Sequence, residues 1–438
     1  MDRYSLKEST FKRGGRGNNH KMNIMRDTVL YLISTGLNKG LPFLLLPLLT
    51  RYLTVDDFGY FGVAMVFVSV MTLFFGFNPS LFIIANFNRI EKGSLGKYIY
   101  HIFILVLFCA FIISVLSPLF SNIFSKYGIT MVMFFIIVLI AITRVIMSIG
   151  LVMLQMEKRA WDYLNLSIVF FSPLFVLIFI CIAYYSLGWT SVLVSELIVG
   201  GLLAAFIVYW LQKNKYIAYG LQKEVFKKIL GFSLPLIPHV MAFWVINFID
   251  RLFLAEMTDM RTVGLYSTAY MLGIGISLIH EAIHRAWQPY FFEYLAEGCA
   301  QRKKQMVKLT WLYYCGSIAA FFIYVNLIKL LLPIIVEKEY LLSMDYIPLI
   351  VFGYTLFGMY RVIAGYLYYL DKTALLASIS AGAALLNIIL NYYLIPINGG
   401  MGAAQATFIS FCFLFITVKI VVLRYYDVKW FWFQSDLR

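Results

Sequence analysis

Charge is the scarcest property of this 438-residue chain: Asp, Glu, Lys and Arg make up 13% of it, against about a quarter of an ordinary soluble domain. The shortage falls mainly on the acids, 22 against 36 Lys and Arg. Cysteine is sparse too. Cys109, Cys181, Cys299, Cys315 and Cys412 are odd in number and mostly lie within apolar stretches, which gives neither a disulfide framework nor a paired-cysteine metal motif. There is no GxxxxGK[ST] phosphate loop, since GSLGKY at Gly93 has the wrong spacing; the energy for any work must come from a gradient or a partner. Residues 1-21 have no apolar core and no small-residue cleavage site, so they read as a disordered basic tail and not as a cleavable signal peptide.

What the chain has in abundance is apolar length. Hydrophobic residues are 62% of it, and runs of about 20 residues suffice to cross a bilayer. Twelve such runs stand at 27-50, 61-86, 98-121, 129-154, 163-184, 190-211, 229-254, 263-290, 307-334, 346-370, 374-394 and 401-424. They are continuous, whereas barrel strands alternate over about ten residues, so the expected fold is an all-α polytopic membrane protein with twelve transmembrane helices. With the N-terminus inside, inner segments carry 25 of the Lys and Arg residues and, apart from Arg51 where the first run ends, the outer loops carry Lys126, Arg261 and Lys338. Both termini are therefore expected in the cytoplasm. The net charge of +14 then reflects topology and contact with anionic membrane lipids, not nucleic-acid binding. No outer loop exceeds about a dozen residues, too little for the extramembrane region with which a membrane glycosyltransferase or repeat-unit polymerase holds a sugar acceptor.

The second half repeats the first. Residues 41-60, LPFLLLPLLTRYLTVDDFGY, share the order of prolines, arginine and glycine with residues 234-266, LPLIPHVMAFWVINFIDRLFLAEMTDMRTVGLY. Arg51 matches Arg251 at an offset of 200, Gly59 matches Gly264 at 205, Glu157-Lys158 matches Asp371-Lys372 at 214, and Gly188 matches Gly399 at 211. The division that follows is a basic tail (1-26), an N-terminal six-helix lobe (27-211), a basic linker (212-228), a C-terminal six-helix lobe (229-424) and a short tail (425-438). Two pseudo-symmetric six-helix lobes, related by an axis along the membrane normal, are an architecture of alternating-access transporters. Pro42 and Pro47 in the first helix, and Pro235 and Pro238 in its counterpart, each remove a helical hydrogen bond and mark bent helices that face protein or water, as static kinks or as hinges. Arg51, Gly59, Arg251 and Gly264 are expected where a helix leaves the membrane and turns.

Four strings, LLPLLTRYLTVDDFGYFG (45-62), FSLPLIPHVMAFWVINFIDRLFL (232-254), VGLYSTAYMLG (263-273) and NIILNYYLIPINGGMGAAQATFIS (387-410), resemble the polysaccharide biosynthesis proteins. These are O-antigen or lipid-linked repeat-unit flippases of the multidrug/oligosaccharidyl-lipid/polysaccharide exporter superfamily. The resemblance implies alternating access about a central cavity flanked by the first, second, seventh and eighth helices. The implied substrate is an undecaprenyl-pyrophosphate-linked oligosaccharide, moved from the cytoplasmic to the periplasmic leaflet of a bacterial inner membrane. A polysaccharide polymerase and a chain-length regulator are candidate partners; no cofactor and no catalytic residue is implied.

Charges inside the expected spans cost at least about 2.5 to 3.5 kcal/mol near the bilayer centre, which makes each a functional candidate. The cations are Lys39, Arg144, Arg285 and Arg361, and the acids Glu196, Asp250 and Glu281. The positive surplus suits a pyrophosphate, whose oxygens accept from Lys as a point charge and from Arg as a planar fork. Lys39 and Arg285 lead, because the resemblance puts them on cavity-flanking helices; Arg144 and Arg361 are braces or ligands, and Arg285 can pair with Glu281 at i, i+4. Glu196, Glu281 and Asp250 are candidates for ion coupling, with Asp250 beside Arg251 the most structural. His280-Glu281-Ala282-Ile283-His284 is a literal HExxH, but no third ligand stands out and Pro289 follows, so histidines lining a polar cavity are the better reading and no metal site is assigned. A cation-coupled multidrug antiporter is the second reading and would need a smaller, less basic cavity with an acid in the N-terminal lobe; an intramembrane zinc protease is a distant third.

Overall fold

The computed structural model describes residues 17–426 apart from 77, 78, 88, 89, 91 and 298. The described residues form α1 (Gly17–Tyr52), α2 (Val55–Gly76), α3 (Pro79–Asn86), α4 (Lys92–Leu116), α5 (Ser121–Lys126), α6 (Met131–Met156), α7 (Ala160–Ala183), α8 (Thr190–Lys213), α9 (Lys223–Ser233), α10 (Ile237–Met257), α11 (Met260–Glu297), α12 (Ala300–Ile335), α13 (Ile347–Tyr369) and α14 (Thr373–Tyr425). No strand occurs among them, and ten helical segments are long and apolar enough to cross a membrane.

Three expected boundaries are redrawn. The runs 374-394 and 401-424 share α14, whose backbone leaves the helix at Gly399 with φ 54° and ψ −132°. A Cβ placed on Gly402 would lie 2.2 Å from the Leu394 carbonyl oxygen, where eight residues of straight helix would separate them by roughly 12 Å; the chain doubles back here. The run 27-50 lies in α1, which begins at Gly17, inside the segment expected to be a tail. α9 begins at Lys223, inside the segment expected to be a linker. Successive spans alternate in direction, so the start of α1, the start of α12 and the end of α14 lie at one end of the bundle. That end is called the terminal face, and the opposite end the far face.

The repeat is visible in the backbone. Gly188 and Gly399 have φ of 56° and 54°, the left-handed turn that favours glycine, both on the far face. On the terminal face, Lys158 and Asp371 have φ of 60° and 54°. The next residue donates five residues back in each case, Arg159 to Leu154 and Lys372 to Leu367, the hydrogen bond of a Schellman turn. Lys158 thus corresponds to Asp371, one position from the register read in sequence.

Gly59 and Gly264 do not serve turns. A Cβ on Gly59 would lie 2.0 Å from the Met260 carbonyl oxygen, and one on Gly264 would lie 2.0 Å from the Val55 carbonyl oxygen. The two glycines form a reciprocal contact through which α2 of one lobe and α11 of the other bring their backbones together at the far face. Other contacts close the same face. Lys126 Nζ is 2.6 Å from Glu256 Oε1, and Arg51 Nε is 3.8 Å from Glu337 Oε1. Tyr340, in the 3-10 turn Lys338–Asp345, is buried and donates to the Leu53 and Thr54 carbonyl oxygens at 2.9 Å each. Burial, and after it Asp57, Glu339 and Asp56, push its phenol well above the ordinary 10.0, so it stays a donor at physiological pH.

The two proline pairs behave differently. α1 runs unbroken through Pro42 and Pro47; the Pro42 side chain lies outside the described residues. In the second half a 3-10 turn, Leu234–Leu236, interrupts the helix between α9 and α10. α9 packs on the first lobe, with Phe232 edge-on to Phe82 at 5.5 Å and Lys228 Nζ 5.2 Å from the Tyr98 ring. α10 packs on α14 of the second lobe, so the break falls where the helix passes between lobes.

Gly59→Ala and Gly264→Ala are each expected to lower the melting temperature of the solubilised protein, by overpacking worth about 1–3 kcal/mol. Gly201→Ala in α8, whose added methyl meets nothing within 4 Å, is expected to be neutral or stabilising.

Candidate functional site

Along α11 the residues Gly264, Ser267, Met271, Ile274, Leu278, Glu281 and Arg285 recur three and four apart, so they line one helical face. At the far face this stripe is pressed on α2, where a Cβ on Gly62 would lie 2.4 Å from Ser267 Oγ. Toward the terminal face the same stripe carries Glu281 and Arg285. Arg285 Nη2 donates to Glu281 Oε1 at 2.6 Å, and Arg361 Nη1 of α13 stands 3.9 Å from Glu281 Oε2. The side chains of Arg285, Arg361 and Glu281 are 44%, 28% and 11% exposed. Two guanidinium groups therefore approach one carboxylate on the face turned to the other lobe. Arg285 also lies within electrostatic reach of Tyr163 in α7 of that lobe.

Two further pairs of charges each lie within one lobe. Arg144 of α6 grips Glu196 of α8 with both prongs, Nε to Oε1 at 2.5 Å and Nη2 to Oε2 at 2.8 Å, while Nη2 also lies 3.6 Å from Met65 Sδ of α2. This bidentate geometry is the strong form of the pair and ties three helices of the first lobe together. In the second lobe Asp250 and Arg251 are buried. Arg251 Nη1 donates to Asp250 Oδ1 at 3.0 Å and to the Asn247 carbonyl oxygen at 2.6 Å. Tyr266 donates to Asp250 Oδ2, which also has Thr407 Oγ1 at 3.5 Å. The guanidinium lies 4.1 Å over the Tyr270 ring, and the Tyr270 and Tyr354 hydroxyls donate to Asn247 Oδ1 at 3.1 and 3.2 Å. Arg251 thus does not mark a membrane exit. Its repeat partner Arg51 is 74% exposed, so the two arginines share a frame but not an environment.

Lys39 lies in α1, with its side chain outside the described residues. His280 Nδ1 is 2.8 Å from Tyr313 Oη of α12, and a Cβ on Gly358 would meet the His280 ring at 2.5 Å. The first two residues of the HExxH string therefore engage different neighbours: His280 turns to α12 and α13, Glu281 to the arginines. Among the described residues no three His, Cys, Asp or Glu come together. Two grooves, of about 330 Å³ between α11, α12 and α13 and about 500 Å³ between α6, α7 and α8, lie within single lobes and include neither Arg285 nor Arg361. Lys329 and Lys419 were overlooked among the intramembrane charges, although both stand inside expected runs (307-334 and 401-424) and counting lysines there would have found them.

The described residues thus form an all-helical bundle of two repeated lobes, with spans long and apolar enough to cross a membrane and two arginines drawn to one carboxylate on the inner side of the second lobe. A family model described as "Polysaccharide biosynthesis protein" matches residues 24–295, more than half of the chain, and the chain belongs to that family. It is 25% identical over 378 residues to "Lsg locus putative protein 1" of Haemophilus influenzae, covering 82% of this chain and 88% of that one. Among solved structures it is similar to "Lipid II flippase MurJ, inward closed conformation", with a TM-score of 0.64, 15% identity and coverage of 95% of each chain. It is also similar to an inward-facing multidrug resistance MATE family transporter of the MOP superfamily, with a TM-score of 0.61, 16% identity and coverage of 89% of this chain and 96% of that one. At these identities the structural likeness concerns the fold alone.

Asp250→Ala leaves Arg251 buried without its carboxylate and is expected to cost about 3–5 kcal/mol, read as a large fall in the melting temperature of the solubilised protein. Arg51→Ala removes an exposed, long ion pair and is expected to change stability by less than about 1 kcal/mol.

Proposed function

We propose that the protein is a flippase that carries an undecaprenyl-pyrophosphate-linked oligosaccharide from the cytoplasmic to the periplasmic leaflet of a bacterial inner membrane by alternating access. The observation that carries this reading is the Arg285–Glu281–Arg361 cluster on the inter-lobe face of α11. A pyrophosphate offers more acceptor oxygens than one carboxylate and can take both guanidinium forks. On entering it displaces Glu281, so the guanidinium groups are oriented before the substrate arrives and are not left unpaired when it leaves. With both termini in the cytoplasm, the far face is periplasmic. The contacts at Gly59, Gly264 and Tyr340 then close the periplasmic side, which supports a state loaded from the cytoplasm.

The antiporter reading calls for an acid in the first lobe that is free to cycle. Glu196 is held by both prongs of Arg144, which favours a brace over a shuttle and so favours the flippase. A polymerase and a chain-length regulator are the partners expected to receive the exported unit.

Arg285→Ala and Arg361→Ala are each expected to lower repeat-unit export about tenfold or more, on the scale of one lost charge-assisted hydrogen bond, with the protein still in the membrane. Arg285→Lys should be intermediate, because a point charge replaces the fork, and Lys39→Ala should resemble Arg285→Ala. Surface polysaccharide at the parental level in all of these variants would remove the assignment.

A further inference from the structure

Lys419 stands six residues before Tyr425, where α14 ends, which places it roughly 9 Å inside the helix from the terminal face. Its side chain is half-buried. Nζ lies 4.7 Å from the Trp311 ring, 5.4 Å from that of Tyr314 and 5.7 Å from that of Phe415. Among the described residues, Arg144, Arg251, Arg285 and Arg361 each have a carboxylate within 4.0 Å, while Lys419 has none. Neither α12 nor the segment 401-426 contains an aspartate or a glutamate, so the helices that surround this ammonium have no acid to give it. Three aromatic faces attract a cation but carry no net charge, and a lysine held at membrane depth is normally paired.

The adjoining surface of α12 adds to the imbalance. Lys304, Lys308 and Trp311 are four and three residues apart and so share one helical face; Lys304 and Lys308 are exposed. The result is a basic seam where α12 meets α14, with Trp311 beside Lys419 and the two exposed lysines toward the terminal face, on the side of α12 away from the α11 groove. We infer that this seam binds the phosphate of an anionic glycerophospholipid of the cytoplasmic leaflet, with Lys419 as the inner contact and Lys304 and Lys308 as the outer ones. The leaflet assignment rests on the cytoplasmic placement of the termini given above. A basic pocket between spans at the cytoplasmic side is the geometry that selects anionic headgroups, and Trp311 supplies the flat amphipathic ring suited to that depth.

The test uses the full-length protein in a neutral detergent, titrated with dioleoyl phosphatidylglycerol or with dioleoyl phosphatidylcholine while melting is followed. Phosphatidylglycerol is expected to raise the midpoint more than phosphatidylcholine, and added salt to shrink the difference. In Lys419→Gln the apparent affinity for phosphatidylglycerol should fall about fivefold, the contribution of one interfacial lysine. Lys419→Arg should retain it, the pair Lys304→Gln and Lys308→Gln should weaken it, and Lys329→Gln at the far end of α12 should leave it unchanged. Equal responses to the two lipids, or an unaltered phosphatidylglycerol response in Lys419→Gln, would overturn the inference. Displacement by undecaprenyl phosphate at lower concentration than phosphatidylglycerol would assign the seam to the carrier and overturn it as well. The readout is lipid-dependent melting, so its failure is distinguishable from failure of the flippase reading, which is measured by export.

Discussion

Two helix backbones in contact set the terms for the rest of the molecule. Where α2 and α11 meet, each glycine faces a carbonyl oxygen of the other helix at a distance no Cβ could tolerate. This close approach joins the halves at the far face. The rest of the far-face seal, Tyr340 on the end of α1 and the Lys126–Glu256 pair, follows once those backbones are that close. The contact also fixes the rotation of α11. The stripe pressed on α2 at the far face continues to Glu281 and Arg285, so the glycine that seals one end determines that the arginine points between the lobes at the other.

The charges divide along the same line. Arg144 with Glu196, and Arg251 with Asp250, close on themselves inside a lobe, where a paired charge holds helices in register and is costly to break. At Glu281, alone among the described carboxylates in the spans, two arginines draw on one acid, and that cluster lies on the inter-lobe face. The repeat therefore supplies a frame common to both halves, seen in the matched left-handed turns at Gly188 and Gly399, and the departures from it supply the chemistry.

Much of this was legible in the sequence, and the limits have physical causes. Apolar runs, the duplication and the i, i+4 pairing of Glu281 with Arg285 are local or periodic signals, and each reappears in the fold. Pro235 and Pro238 lie at a break for the reason their chemistry gives, whereas α1 continues through Pro42 and Pro47; proline content alone does not separate a bend from an interruption. Gly59 and Gly264 were legible as matched positions but misread as turn residues, because the atom that requires each of them belongs to a helix about 200 residues away. The Arg144–Glu196 grip spans 52 residues and Arg361 reaches Glu281 from another helix, so neither partner could be named from spacing. Lys419 was readable yet lost in a run that is otherwise apolar.

The central claim is that the lobes separate at the far face for the substrate to leave. It is tested most directly by replacing Lys126 and Glu256, whose side chains touch across that face, with cysteines in a background lacking the five native ones. Flipping of a fluorescent lipid-linked oligosaccharide would be followed in proteoliposomes before and after the two cysteines are bridged by a short bis-methanethiosulfonate reagent, because cysteines in place of so long a pair of side chains stand too far apart for a direct disulfide. If the lobes part there, the cross-linked protein stops flipping and a reductant restores it. Undiminished flipping by fully cross-linked protein would contradict the account.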